Sequence, residues 1–297
     1  MKKYSLLLIV VLTVISTFVV YAQDESDDTI QFVVIGDYGL AGPSLEAVST
    51  MIHDWNPDFI ITTGDNNYPH GSDRTIDENI GQYFHDFIYP YVGEYGDGAE
   101  TNRFFPSLGN HDFDSRKGKH YLDYFELPGN ERYYDFIRGP VHFFVLNSNV
   151  REKDGFRDDS VQGEWFQEQI AASETPWQIV YFHHAPYSSA LERGPSFAMR
   201  WPFAEWGIDA VFSGHDHFYE RIEVDGIVYF VNGIGITDYI YEIEEEPIAE
   251  SQAQYNETAG AQLVTATECE ITFDFYSIED GSTLIDSYTM NQCDDDS

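Results

Sequence analysis

"IDAVFSGHDHFYER", residues 208–221, decides how this sequence is read. Ile208 to Phe212 is an apolar run of the kind that forms a buried strand, and Ser213-Gly214 ends it. Two histidines, His215 and His217, follow one residue apart. In extended chain, side chains at i and i+2 point the same way, so both imidazoles face one point. Such a pair is either a metal site or a hydrogen-bonded pair, and only the rest of the chain can decide which.

Working outward, the same grammar recurs. "TIQFVVIGDYG" (29–39) and "PDFIITTGDNNYP" (57–69) are strands that run into glycine-flanked acidic turns. Between them "SLEAVSTMIHDW" (44–55) has helical periodicity, with Ser44 as the expected N-cap. "RFFPSLGNHD" (103–112) ends in a similar turn, and "VHFFVLNSN" (141–149) reads as a strand. "SVQGEWFQEQIAAS" (160–173) reads as a helix, "WQIVYFHHAPY" (177–187) as a strand and "FAMRWPFAEW" (197–206) as a helix. The remainder is rich in alternating β pattern. Strands alternating with helices predict an α/β core completed by hairpins at the sheet edges. In such sheets ligands sit beyond the carboxyl ends of the strands. The polar residues gathered there are Asp37, Asp65, Tyr68, Asn110, His111, His184, His215 and His217. Each alone is an ordinary turn residue. Together they exceed what one ion needs, and two ions sharing a carboxylate would use all but one. Mixed oxygen and nitrogen donors suit iron, manganese or zinc rather than calcium.

Composition bounds the class. The 297 residues are 42% hydrophobic and 16% aromatic, ample for a packed core. The net charge is −37, from 15 basic and 52 acidic residues. Such a surface disfavours nucleic acid and anionic membranes as partners. At the N-terminus, Lys2 and Lys3 precede an apolar run from Leu6 to Val20, and small residues lead to Ala22. This reads as an export signal cleaved after Ala22, because the run is shorter than the roughly 17–25 residues that span a bilayer. Cleavage takes the charge from −37 to −39 by removing the two lysines. An acidic linker (23–29), one domain (30–290) and an acidic tail (291–297) complete the expected layout, with no stable membrane insertion after cleavage. The two cysteines, Cys269 and Cys293, are expected to pair in an oxidising compartment.

Five ordered blocks then give the chain a resemblance: "GDYG" (36–39), "GDNNY" (64–68), "GNHD" (109–112), "HHAPY" (183–187) and "GHDH" (214–217). The sequence resembles the calcineurin-like metallophosphoesterases, and among them the purple acid phosphatases of small, animal or bacterial type, over roughly residues 30–290. Gly39 stands where the wider superfamily commonly has a ligand histidine, and Tyr68 takes over, as in the purple enzymes. The resemblance implies a four-layer α/β/β/α sandwich of mixed sheets flanked by helices. It implies Fe3+ held by Asp37, Asp65, Tyr68 and His217. A divalent ion, Fe2+, Zn2+ or Mn2+, would be held by Asp65, Asn110, His184 and His215. His184 is chosen over His183 because the family ligand precedes x-Pro, and His184 precedes Ala185-Pro186. His111 would protonate the leaving alkoxide. "LERGP" (191–195) puts Arg193 where the small animal-type enzymes have a second histidine. Arginine cannot serve as an acid but can grip a phosphate oxygen. His70 is a further candidate to line the pocket. The implied activity is a secreted phosphatase acting on small phosphomonoesters through metal-bound hydroxide. A phosphodiesterase or nucleotide pyrophosphatase on the same site is the alternative, and a non-catalytic binding module is a third reading.

Overall fold

The computed structural model describes residues 29–293. The expected export signal, most of the expected acidic linker and the end of the expected acidic tail lie outside the described residues. No helix among the described residues is long and apolar enough to cross a membrane.

Two mixed sheets face each other. The first has six strands: β1 (Ile30–Ile35), β2 (Phe59–Thr62), β3 (Phe104–Pro106), β11 (Gly260–Ala266), β12 (Glu270–Ser277) and β13 (Thr283–Asn291), in the order β13-β12-β11-β1-β2-β3. The second has seven: β4 (Tyr134–Arg138), β5 (Val141–Val145), β6 (Trp177–His184), β7 (Ala210–Gly214), β8 (Tyr219–Val224), β9 (Ile227–Asn232) and β10 (Ser251–Tyr255), in the order β10-β8-β9-β7-β6-β5-β4. β1, β2 and β3 run parallel, as do β5, β6, β7 and β9, while hairpin strands complete the edges antiparallel.

Strand period decides the layering. Along β5 and β6, Phe143, Ile179 and Tyr181 point between the sheets, while Phe144, Val180 and Phe182 point outward into a second apolar cluster. Rings from opposite sheets interlock at the seam. Phe32 meets Phe143 edge-on at 5.0 Å, Phe230 meets Phe273 at 4.9 Å, and Tyr219 stacks on Phe275 at 4.0 Å. Each ring buried this fully contributes about 1.5–3 kcal/mol. Outside the first sheet lies a helix, α1 (Pro43–Trp55), whose Leu45, Val48 and Ile52 are buried. The outer face of the second sheet is covered by the helices Val161–Ala171 and Phe203–Trp206, whose Phe166 and Phe203 pack on Phe144 and Phe182. The architecture is the four-layer arrangement expected.

Two local expectations are corrected. Ser44 does not cap α1: Gly42 holds that position, Pro43 starts the helix, and the Ser44 hydroxyl accepts from Thr237 N at 2.8 Å. Residues 197–206 are not one helix. A single turn (Phe197–Met199) and a short helix (Phe203–Trp206) are parted at Trp201-Pro202, where proline lacks the N–H a continuous helix requires. At the far edge, Cys269 and Cys293 form a disulfide, tying the β11–β12 turn to the end of β13.

Candidate metal centre

The carboxyl ends of β1, β2, β3, β6 and β7 meet at one place on the seam between the sheets. The chain turns sharply there: Asp37, Asp65 and His215 all have positive φ (52°, 52° and 72°), a costly conformation for residues with a Cβ. The turns hold one another. Asp37 N donates to Gly64 O at 3.0 Å, Tyr68 N to Gly39 O at 2.7 Å, and His215 N to Asp37 Oδ2 at 2.8 Å. Glycine is required where the loops cross: a Cβ on Gly214 would stand 2.4 Å from Asp37 Oδ2.

Two clusters of donor atoms result, and they share one carboxylate oxygen. In the first, Tyr68 Oη lies 3.3 Å from Asp37 Oδ1, 3.3 Å from His217 Nε2 and 3.4 Å from Asp65 Oδ2. In the second, His183 Nε2 lies 3.0 Å from Asn110 Oδ1, 3.1 Å from His215 Nδ1 and 3.4 Å from the same Asp65 Oδ2. The groups His183–His184–His215 and Asp37–Asp65–His183 each offer ligand atoms within 4.8 Å of one another.

The hydrogen bonds at the far side of each ring fix its chemistry. His183 Nδ1 faces Thr63 O at 2.9 Å, and His217 Nδ1 faces Tyr239 O at 2.6 Å. A carbonyl only accepts, so Nδ1 carries the hydrogen in both rings and Nε2 holds a lone pair. Those lone pairs face oxygen acceptors: His217 Nε2 is 3.2 Å from Asp37 Oδ1. Acceptors facing acceptors at such distances fit a cation between them. Crowding and burial also bear on the ionisation of the cluster. Burial, then the charges of Asp37 and Asp112, push the Asp65 carboxyl well above the usual range. Burial, then Asp37 and Asp65, push up the Tyr68 phenol. Burial, then the neighbouring imidazoles and, for His215, also the Arg193 charge, hold His183 and His215 well below the ordinary histidine range. These donors fit a pair of cations.

The sequence reading chose His184 over His183, and the geometry favours the reverse. β6 pairs with β7 through an irregularity between Tyr181 and His184, and such a bulge re-aims side chains. It brings both imidazoles to the cleft, with ring centroids 4.9 Å apart, but His183 Nε2 is the atom that meets Asn110 and Asp65. His184 turns its Nδ1 to Ser148 Oγ at 2.8 Å. Nothing in the sequence signals the bulge. Asp37, Asp65, Tyr68, Asn110, His215 and His217 do come together.

Around the cluster, His111 donates its backbone N–H to Asp65 Oδ1 at 2.8 Å, and its Nε2 stands 3.9 Å from Asp65 Oδ2. Its Nδ1 is fixed on Pro69 O at 2.6 Å. His70 lies apart, exposed and paired with Asp114 at 2.9 Å. The Arg193 guanidinium sits 5.7 Å from the Tyr241 ring centre, and its charge contributes to holding His184 down to about 4, after burial. Tyr241 stacks on His217 at 4.3 Å. An acidic stretch, residues 238–258, lies near this side of the cluster. Its first half runs beside the Arg193 segment, with Leu191 N donating to Glu242 O at 3.1 Å and Glu244 N to Ser189 O at 2.9 Å.

Comparison with known proteins finds a family and several relatives. The calcineurin-like phosphoesterase family model matches residues 30–219. Purple acid phosphatase 15 of Arabidopsis thaliana is 28% identical over 244 residues, covering 69% of this chain and 44% of the relative. Fe(3+)-Zn(2+) purple acid phosphatase 12 of the same plant is 36% identical over 83 residues, 25% of this chain and 18% of the relative. The chain thus spans less than half the length of these curated relatives. Among solved structures, purple acid phosphatase PPD1 of yellow lupin (Lupinus luteus) superposes with a TM-score of 0.73 at 19% identity, covering 89% of this chain and 54% of that one.

Proposed function

The chain belongs to the calcineurin-like phosphoesterase family, and from that premise we propose that it is a two-metal phosphatase that hydrolyses small phosphomonoesters. One observation carries the reading: Asp65 Oδ2 belongs at once to the Tyr68–Asp37–His217 cluster and, through His183, to the Asn110–His183–His215 cluster, the geometry of a bridging carboxylate. We assign Asp37, Asp65, Tyr68 and His217 to one cation, and Asp65, Asn110, His183 and His215 to the other. The phenolate donor suits a trivalent ion at the first site, and a relative's name pairs Fe(3+) with Zn(2+). When bound, the cations acidify water and neutralise charge on the phosphoryl group.

The protein's own groups then have distinct tasks. Thr63 O and Tyr239 O hold the two ligand imidazoles in one tautomer and orientation. His111, with Nδ1 anchored, presents Nε2 to the cleft beside Asp65, where its protonated form can donate to a departing alkoxide. Arg193, carried on the segment beside Tyr241, offers a guanidinium to a phosphate oxygen. Export from the cell follows from the N-terminal signal read in the sequence.

The test is hydrolysis of a matched chromogenic phosphomonoester and phosphodiester from pH 4 to 9, with metal content measured on the same sample. Monoester turnover lost in Asp65→Asn is the expected result. Dominant diester turnover would replace the monoester assignment. A protein with both ions bound and no turnover of either ester would refute catalysis altogether.

A further inference from the structure

His184 is left over once His183 takes the ligand position, and its surroundings specify what it can do. Its backbone N–H donates to Ser148 Oγ at 3.0 Å, and its Nδ1 faces the same oxygen at 2.8 Å. Ser148 is buried, with 2% of its surface exposed. Its hydroxyl has one hydrogen to place. The backbone N–H can only donate, so among the partners the structure gives this oxygen only His184 Nδ1 can take that hydrogen. Nδ1 is then the acceptor, and Nε2 carries the hydrogen. This is the opposite tautomer to that of His183 and His217, whose Nδ1 atoms face carbonyls.

A nitrogen that carries a hydrogen has no lone pair for a metal. The His184 ring nevertheless lies 4.6 Å from that of His215 and 4.9 Å from that of His183, centre to centre, with a ligand-type nitrogen inside the same 4.8 Å group. An N–H on this ring, beside groups that would hold a cation, calls for an anion that the cation also attracts. We propose that His184 donates a hydrogen bond from Nε2 to a phosphoryl oxygen of the substrate on the Asn110–His183–His215 side, with Ser148 as the positioning residue that sets its tautomer. This rests on the phosphatase reading above and adds a phosphate-binding group to it.

The experiment compares wild type, His184→Phe and Ser148→Ala, each loaded with Zn2+ and Fe3+ and assayed for metal content. Inorganic phosphate is the probe, titrated by calorimetry. A hydrogen bond to a charged oxygen is lost in His184→Phe, so phosphate affinity should fall about 10-fold or more with both ions retained. Ser148→Ala should weaken phosphate in the same direction by less. It should also move the His184 nitrogen signals, in a long-range 1H–15N spectrum of all-zinc protein, away from the pure Nε2–H pattern of wild type. His184→Phe that keeps only one ion would make His184 a ligand and overturn the proposal. Unchanged phosphate affinity with two ions bound, or a wild-type spectrum with hydrogen on Nδ1 alone, would overturn it too. Wild type that binds two ions and phosphate yet turns over no ester refutes the phosphatase reading, while the phosphate comparison still decides the role of His184.

Discussion

A methyl group at Gly109 should dismantle the centre from its floor. An alanine Cβ there would stand 2.1 Å from both the backbone nitrogen and Oδ1 of Asp65, and 2.8 Å from its Cα. Ordinary contact begins near 3.4 Å, so the two segments must part by about 1.3 Å. No rotamer change relieves this, because backbone atoms are among those struck. Gly109 is itself held, donating to Asp112 Oδ2 at 2.9 Å and accepting from Phe113 N at 3.1 Å. Asp65 therefore gives way. Overpacking of this kind costs about 1–3 kcal/mol of folding stability, and metal ligands tolerate shifts of only about 0.2 Å. The assay is metal content after dialysis against a weak chelator, together with urea unfolding of the metal-free protein. Gly109→Ala should lose about 1–3 kcal/mol and keep less than one ion per chain. Gly42→Ala, where a Cβ meets nothing within 4 Å, serves as the control and should keep both properties. A Gly109→Ala protein that holds two ions with wild-type affinity would refute the placing of Asp65 as a bridge.

Three further outcomes are expected. Replacing Cys269 and Cys293 by serine opens a loop of sequence separation 24, which on chain entropy costs about 3.5 kcal/mol in urea unfolding; no change would mean that the β12–β13 hairpin already restrains that loop in the unfolded chain. His53 shares its Nε2 with both Asp86 oxygens at 3.2 Å, and this hydrogen bond raises its pKa above 6.5 while lowering that of Asp86. The pair therefore stabilises fully below the ordinary imidazole value, down to the carboxylate range, and its contribution is lost as pH rises through the raised folded value. Both groups are well exposed, so the effect stays below about 1 kcal/mol, read as a stability gap between wild type and His53→Gln at pH 5.5 that closes by pH 9. Finally, Tyr68→Phe should abolish the visible tyrosinate band of the iron-loaded protein; an unchanged colour would remove Tyr68 from the iron.

Much of the site was legible because it sits at strand ends, where apolar runs stop abruptly at polar residues. β1 and β2 stop just before Gly36-Asp37 and Gly64-Asp65, so period and punctuation coincide. What could not be read depends on contacts between distant segments. His183 and His184 are neighbours that strand alternation would turn to opposite faces, and only the irregularity against β7 brings both rings to the cleft. Ser44 has the composition of a cap, but Pro43 and the distant Thr237 decide otherwise. Tyr239 and Tyr241 sit in an acidic stretch that looks like solvated loop. Their part lies in a carbonyl and a ring face offered to His217 from 22 and 24 positions away in the sequence.

The division of donors between the two sheets has a consequence for how the molecule matures. Asp37, Asp65, Tyr68 and Asn110 follow strands of the six-stranded sheet, whereas His183, His215 and His217 belong to the seven-stranded one. Each half in isolation is chemically one-sided: anionic and amide oxygens on one, neutral imidazoles on the other. A cation that drew on both would be gripped only after the halves had closed, so its capture would report the finished assembly. Ligation favours the closed form by mass action, so stripping the ions should loosen the molecule first along this joint, well before either half frays.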